Sequence, residues 1–286
     1  MKLNTKQKIA LARQASNVIR AGRRFVGLGD VARARRGGVN WALDLGEGID
    51  FSIYLLGGFE PATLKLYEKL VAECRPKVVF DIGANVGAHT LPLAKLVLPY
   101  GGSVHAFEPT EWAFAKLQQN RSINPGLKQA ILPIQAMLVA ERGVGVEASI
   151  FSSWPLSGEP NLHPVHRGQL KETTGAFAIT LDDYVARQRL ERVDFIKLDV
   201  DGHEPEVLRG AGETLQAFKP MLLMEWSPHL FVARPNAMPE MLARLQAMGY
   251  RLLNGATGVA INGDHVALDA LTPPGGSMNI LLRAFP

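Results

Sequence analysis

The densest group of chemically able side chains is Ile196-Lys197-Leu198-Asp199-Val200-Asp201-Gly202-His203-Glu204. The apolar run VDFIKLDV leads into it, as a buried strand leads into a loop. Alternation along that strand sets Lys197, Asp199 and Asp201 on one side, away from Leu198 and Val200. A lysine beside two carboxylates reads as a paired, positioned group, because an isolated buried charge is strongly disfavoured. Gly202 permits a turn, Pro205 suits the first turn of a following helix, and Glu206 suits its dipole. His203 is the side chain best matched to moving a proton at neutral pH. It is the first candidate for a general base, with Asp199 or Asp201 orienting it or the substrate. The competing reading makes His203 and Glu204 helix caps and Lys197–Asp199 a structural pair.

A second strand end carries binding chemistry. Asp81-Ile82-Gly83-Ala84-Asn85-Val86-Gly87 closes the apolar run KVVFDIG, and its glycines let the backbone turn sharply and a ligand approach. Asp81 puts a carboxylate at the strand terminus, where it can accept from an amino group or nearby amides. Glu108, 21 residues after Gly87, ends the next strand and is placed to accept both hydroxyls of a ribose. Together these predict a nucleoside ligand. The second and third glycines of G-x-G-x-x-G are missing, so no pyrophosphate cradle is evident, and S-adenosylmethionine fits better than a dinucleotide. His89 and Thr90, just inside the next helix, can reach a cofactor carboxylate or simply lie on the helix surface. The competing reading is a generic turn with incidental acids.

The elements that must position these groups follow a strand-then-helix rhythm. PATLKLYEKLVAE predicts a helix, preceded by short strands and turns in WALDLGEGIDFSIYLLGGFEP. KVVFDIG, SVHAFEP and AILPIQAML predict three strands separated by the helices AHTLPLAKLVL and EWAFAKLQQNRSI. Between about residues 143 and 178 the rhythm breaks into a Ser-, Gly-, Pro- and His-rich insertion. A long irregular segment inside a compact domain is often a lid or substrate loop. In it Trp154 can stack on a sugar ring, while His163, His166 and Arg167 can hydrogen-bond hydroxyls or an anion; an exposed polar loop is the competing reading. VDFIKLDV, a helix over 204–218, PMLLMEW, the helix PEMLARLQAMGY, and the strands YRLLNG and MNILLRAF complete the pattern. Alternating strands and helices predict an α/β fold with a parallel sheet covered on both faces. Two strands close together at the C-terminus suit an antiparallel edge.

The 286 residues are 47% hydrophobic and 20% charged, which excludes a mostly disordered chain, a collagen-like repeat and a coiled coil. A single cysteine, Cys74, excludes an intrachain disulfide framework and fits a reducing, cytoplasmic setting. No uncharged apolar run approaches the ~18 residues of a membrane span, and the N-terminus lacks a secretory h-region. The net charge of +4 is unevenly spread. Residues 1–36 hold ten Lys or Arg and one acid, Asp30, whereas the other 250 hold 21 basic and 26 acidic side chains. Residues 1–40 therefore read as a basic helical arm on an acidic body, 41–286, whose sign disfavours nucleic acid. The arm can pack on the body or on a second copy of the chain in a homodimer, lie on a membrane surface, or meet an acidic partner.

The sequence resembles the FkbM family of class I S-adenosylmethionine-dependent methyltransferases. The motifs that carry the likeness span about residues 41–227 and occur in order. They are WALDLGEGIDFSIYLLGGFEP, VVFDIGANVGAHTLPLAKL, SVHAFEPTEWAFAKLQQN, ITLDDYV, VDFIKLDVDGHEPEVLRGA and PMLLMEW. The resemblance implies a Rossmann-like, mostly parallel seven-stranded sheet with a reversed C-terminal strand at one edge. It implies O-methylation of a hydroxyl on a sugar or glycosylated natural product. It sets Asp81, Gly83, Ala84, Asn85 and Gly87 around the methionine part of the cofactor and Glu108 on the ribose. Pro109, Trp112 and residues around Gln135–Met137 would lie near the adenine, although no acid stands there to meet the adenine amino group. Methyl transfer needs in-line alignment and removal of a proton, the task assigned above to His203 with Asp199. The resemblance requires no metal. Mg²⁺ held by Asp199 and Glu225, with His229 nearby, stands as an alternative. A catalytically silent nucleoside-binding scaffold is the competing function class, and a nicotinamide oxidoreductase is opposed by the missing glycines.

Overall fold

The computed structural model describes residues 5–152, 155–156, 168–273 and 276–284. An N-terminal unit comprises α1 (Thr5–Phe25), the antiparallel hairpin β1 (Val31–Arg36) and β2 (Val39–Asp44), then α2 (Gly48–Leu56) and α3 (Pro61–Cys74). The alternating part begins with β3 (Val78–Ile82), α4 (Thr90–Val97), β4 (Ser103–Phe107), α5 (Glu111–Ser122) and β5 (Ile131–Ile134). Short strands follow: β6 (Ala136–Leu138), β7 (Ser149–Ser152), β8 (Gln169–Glu172) and β9 (Phe177–Ile179). The rhythm resumes with α6 (Leu181–Arg187), β10 (Phe195–Leu198), α7 (Glu204–Arg209), α8 (Gly212–Phe218) and β11 (Met221–Trp226). It closes with α9 (Ala237–Ala247), β12 (Tyr250–Asn254), α10 (His265–Leu271) and β13 (Met278–Ala284).

Seven strands form the main sheet in the order β12-β13-β11-β10-β3-β4-β5. From β11 to β5 all neighbours are parallel, and β13 enters antiparallel between β11 and β12. The antiparallel edge expected from the two C-terminal strands is therefore present. Each central strand is apolar on both faces, as a doubly covered parallel sheet requires. Val79 and Val104 join one core with Leu66 and Tyr67 of α3 and Leu91 of α4. Phe80, Ile82, Phe107 and Leu198 join the opposite core with Tyr184 of α6, Val207 of α7 and Leu242 of α9.

Four details depart from the sequence expectation. GIDFSIYLL is the helix α2 rather than short strands, because buried Asp50 accepts the Asp44 N–H at 2.6 Å and meets Lys116 of α5. AILPIQAML is split: β5 stays in the sheet while β6 leaves it to pair with β9. The helix over 204–218 is broken into α7 and α8, since a Cβ on Gly210 would fall 2.1 Å from the Val139 carbonyl oxygen. The boundary expected at residue 40 falls inside β2, whose Asn40 and Ala42 N–H groups donate to Asn124 and Asn120 of the α5 region. Among the described residues no helix is long and apolar enough to cross a membrane.

Candidate active site

The carboxyl ends of β3, β4, β10 and β11 converge, which is where open α/β sheets bind ligands. After β3 the chain turns at Gly83, whose φ is +79°. A Cβ there would lie 1.8 Å from the Asp199 carbonyl oxygen, so only glycine lets the two strand ends close up. The Gly83 and Ala84 N–H groups donate to the Phe107 carbonyl at 3.0 and 2.9 Å, and the Asp199 N–H donates to Ile82 at 3.1 Å. Three strand ends are thereby fixed to one another by backbone alone.

Glu108, just past β4, is buried and holds three donors. Its Oε2 accepts the Asn85 N–H at 2.9 Å, and its Oε1 accepts the Thr110 N–H at 2.9 Å and hydroxyl at 2.5 Å. Burial pushes its carboxyl above the ordinary value, against those donors. With about four acceptor positions on a carboxylate, it keeps capacity for a ligand hydroxyl. Glu108 forms one wall of a cavity of about 360 Å³. Other walls come from Phe107, Pro109, Ala136 to Val139, Ser152, Asp199, His203 and Val207. Its size falls within the range of about 300–1,000 Å³ usual for small-ligand sites.

On the other side of Gly83 lies a second, smaller pocket of about 50 Å³, lined by Ile49, Phe59, Ala84, His89 and Lys197. The two share Gly83, Asn85, Asp199 and Asp201. A buried lysine with carboxylates on either side marks the smaller one. Lys197 Nζ lies 3.5 Å from Asp81 Oδ1 and 3.6 Å from Asp199 Oδ2, and donates to the Gly83 carbonyl at 3.1 Å. Burial opposes its charge, but Asp199, Asp81 and Glu60 outweigh that and hold its pKa above the usual value. Asp81 also accepts the Thr90 hydroxyl at 2.5 Å. Burial, then Asp199 and Glu225, raise the Asp201 carboxyl well above its ordinary value. Burial and the Asp199 charge push Glu225 up to about 8, although the Ser277 hydroxyl donates to it.

The structure brings together Asp81, Gly83, Ala84, Asn85, Thr90, Glu108, Pro109, Lys197, Asp199, Asp201 and His203, the last on the larger cavity. Gly87 packs against Leu91 and Leu117 rather than lining either space. Trp112 also stands apart, its ring covered by Lys116 at 4.8 Å and Lys171 at 4.4 Å. His229 follows β11, half-buried, and lines neither pocket. Trp154, His163, His166 and Arg167 lie outside the described residues. His203 has a side chain 41% exposed, and its nearest acid is Glu147 at 3.9 Å.

Glu60 escaped the sequence reading, and two residues it named, Glu204 and His89, take places of their own. Glu204 was read as a cap, yet its buried Oε1 accepts the Val200 and Gly202 N–H groups at 3.1 and 3.4 Å and shapes the turn after β10. Burial pushes its carboxyl up to about 7. Glu60 accepts from Thr63 and Asn279 at 3.0 and 2.9 Å behind the small pocket; it stands next to last in the motif WALDLGEGIDFSIYLLGGFEP, where nothing singles it out. His89 is buried, with Tyr67 OH 3.1 Å from Nδ1; Nε2 has no hydrogen-bond partner among the described residues. Burial and Lys197 keep it neutral, far below its usual pKa. Its place two residues after Gly87 was the available signal.

The sheet order, with one reversed strand beside β11 and a glycine turn after β3, defines a Rossmann-like class I methyltransferase fold. A family model described as the methyltransferase FkbM domain matches residues 81–252, and the chain belongs to that family. It is similar to the hexuronic acid methyltransferase AglP of Haloferax volcanii, 28% identical over 143 residues, covering 49% of this chain and 52% of AglP. It is similar to the 31-O-demethyl-FK506 methyltransferase FkbM of Streptomyces tacrolimicus, 28% identical over 170 residues, covering 52% of this chain and 65% of that protein. The chain thus spans about half to two thirds of these relatives' lengths. A crystal structure of methyltransferase FkbM from Methylobacillus flagellatus KT aligns with a TM-score of 0.45 and 13% identity, over 93% of this chain and 70% of that one.

Proposed function

We propose that the chain transfers a methyl group from S-adenosylmethionine to a hydroxyl of a sugar or a glycosylated small molecule. The observation that carries this is the pair of unequal cavities meeting at Gly83, Asn85, Asp199 and Asp201. One is nucleoside-sized with a carboxylate in its wall; the other is small and charged. The relative named as a hexuronic acid methyltransferase supports a sugar as acceptor.

S-adenosylmethionine, when bound, supplies an electrophilic methyl on a sulfonium. Glu108 would take its ribose hydroxyls, the apolar walls at Ala136 to Val139 its adenine, and the Gly83–Asn85 turn its methionine portion. On the acceptor side, Asp199 Oδ2 would receive the proton that leaves the hydroxyl as the new C–O bond forms and the methyl's C–S bond breaks, leaving S-adenosylhomocysteine. Lys197 holds that carboxylate in place and balances its charge. Neutral His89 is the second proton acceptor lining this pocket. His203, on the larger cavity, serves the nucleoside side in this arrangement. A second reading rests on Asp199, Asp201 and Glu225, whose ligand oxygens lie within 4.8 Å of one another, a donor set that suits Mg²⁺. Turnover lost in chelator and restored by Mg²⁺ would establish it.

Calorimetric titration with S-adenosylmethionine, S-adenosylhomocysteine and NAD tests the cofactor, and a screen of hydroxyl acceptors tests the reaction. Binding of both sulfur nucleosides with methyl transfer to a sugar hydroxyl is expected. Binding of NAD alone would overturn the reading, and nucleoside binding without transfer to any acceptor would favour a silent scaffold.

A further inference from the structure

The basic arm leaves an apolar surface uncovered. On α1, Ala12, Ala15 and Ile19 pack on the body, and Ser16 donates to the Leu45 carbonyl at 2.5 Å. A neighbouring exposed face carries Leu11, Val18 and Phe25 at seven-residue spacing, which keeps them on one side of a helix. Val18 is 73% exposed and Phe25 92%, among the largest exposures of any apolar side chain described. The stripe continues beyond the helix: Val26, Leu28 and Val31 are each more than half exposed. Along β1, Val31, Arg33 and Arg35 alternate outward, and neither arginine's guanidinium makes a hydrogen bond or ion pair among the described residues. The one acid of the arm, Asp30, is already taken by Arg20 and Arg24.

From this juxtaposition of bare apolar side chains and uncompensated cations, we infer that the arm docks on an anionic lipid surface. A bilayer carrying negative headgroups meets both requirements at once: it buries the aromatic and aliphatic side chains shallowly and neutralises the arginines. A second copy of the chain fits less well, because pairing this face with itself would oppose two segments that each hold ten cations and one acid. A nucleic acid would use the cations and leave Phe25 and Leu28 in water. The inference is independent of the methyl-transfer reading, since none of these side chains lines either cavity.

The test is co-sedimentation of the full chain with vesicles of phosphatidylcholine alone and of phosphatidylcholine mixed with phosphatidylglycerol, at low and high salt. The bound fraction should rise about tenfold or more with the anionic lipid and fall with salt. Two double substitutions, Phe25→Ser with Leu28→Ser and Arg33→Glu with Arg35→Glu, should each abolish the gain. Both should leave the melting temperature and S-adenosylhomocysteine affinity unchanged, which separates loss of docking from loss of fold. Equal binding to neutral and anionic vesicles, or no binding to either, overturns the inference. So does a dimer, seen by light scattering, that the Phe25→Ser, Leu28→Ser variant converts to monomer. Tight binding of a duplex oligonucleotide that the same variant retains overturns it as well.

Discussion

The two cavities share a wall but are built on opposite principles. In the larger one Glu108 is held by backbone and hydroxyl donors beside the apolar walls of Phe107 and Ala136 to Val139. In the smaller one the charged groups lean chiefly on one another: Lys197 stands between Asp81 and Asp199, and burial raises the Asp201 carboxyl well above its ordinary value. A surface whose polar groups already have fixed partners is preorganised and changes little on binding. A cluster balanced only by mutual contacts responds to every proton gained or lost. The first arrangement suits holding an invariant cofactor. The second suits moving a proton.

The largest effect should come from breaking the shared wall. Gly83→Ala forces a left-handed residue and sets a Cβ 1.8 Å from the Asp199 carbonyl. Destabilisation of about 3 kcal/mol or more is expected, with nucleoside binding and turnover both lost, by thermal unfolding and calorimetry. Retention of either function would mean that the cavities are separable. Next, Asp199→Asn should lower turnover by ~10²–10⁴ while S-adenosylhomocysteine affinity stays within about threefold. His203→Ala should lower turnover by less than about tenfold at saturating substrate. The reverse order would return the base to His203 and to the larger cavity.

The same contrast explains what could be read from the chain in advance. Asp81, Gly83, Glu108 and Asp199 sit at ends of apolar strands, and a strand end is a local pattern. Their neighbourhood follows from parallel pairing, which the alternation of strands and helices predicts. The acceptor side is assembled from further apart. Asn279 reaches Glu60 across 219 residues, a contact that depends on β13 entering beside β11. Helix α2 was hidden for a related reason: its buried Asp50 is tolerable only because Lys116, 66 residues on, arrives to pair with it. Trp112 carried the opposite lesson. The family resemblance set it near the adenine, whereas in the structure Lys116 and Lys171 lie over its ring.

A smaller change should sharpen the nucleoside side. Glu108→Gln keeps the shape but replaces one acceptor oxygen with an NH₂ that faces donors, either the Asn85 N–H or the Thr110 pair. S-adenosylhomocysteine affinity should fall about 10–100-fold, the equivalent of about 1.4–2.8 kcal/mol. Turnover at saturating cofactor should stay close to wild type, the mirror image of Asp199→Asn. If turnover fell and affinity did not, Glu108 would belong to the chemistry rather than to binding.

The smallest effect tests whether charge on the acceptor side is balanced internally. Burial, followed by the Asp199 charge, raises Glu225 from 4.5 to about 8. The native state therefore keeps a proton that the unfolded chain releases above its ordinary value. Stability from this group is complete below pH about 4.5 and is lost as pH rises through about 8, because in that window the native state binds more protons. Glu225→Gln cannot titrate, so its melting temperature should fall less steeply between pH about 5 and 8, by a few degrees over the interval. Some slope should survive, since Glu204, raised to about 7 mainly by burial, titrates in the same direction. An unchanged slope would mean that Glu225 is ionised in the native protein, held so by a cation rather than by a proton. That outcome would strengthen the Mg²⁺ reading of Asp199, Asp201 and Glu225, and it would make the smaller cavity a site completed by a bound charge.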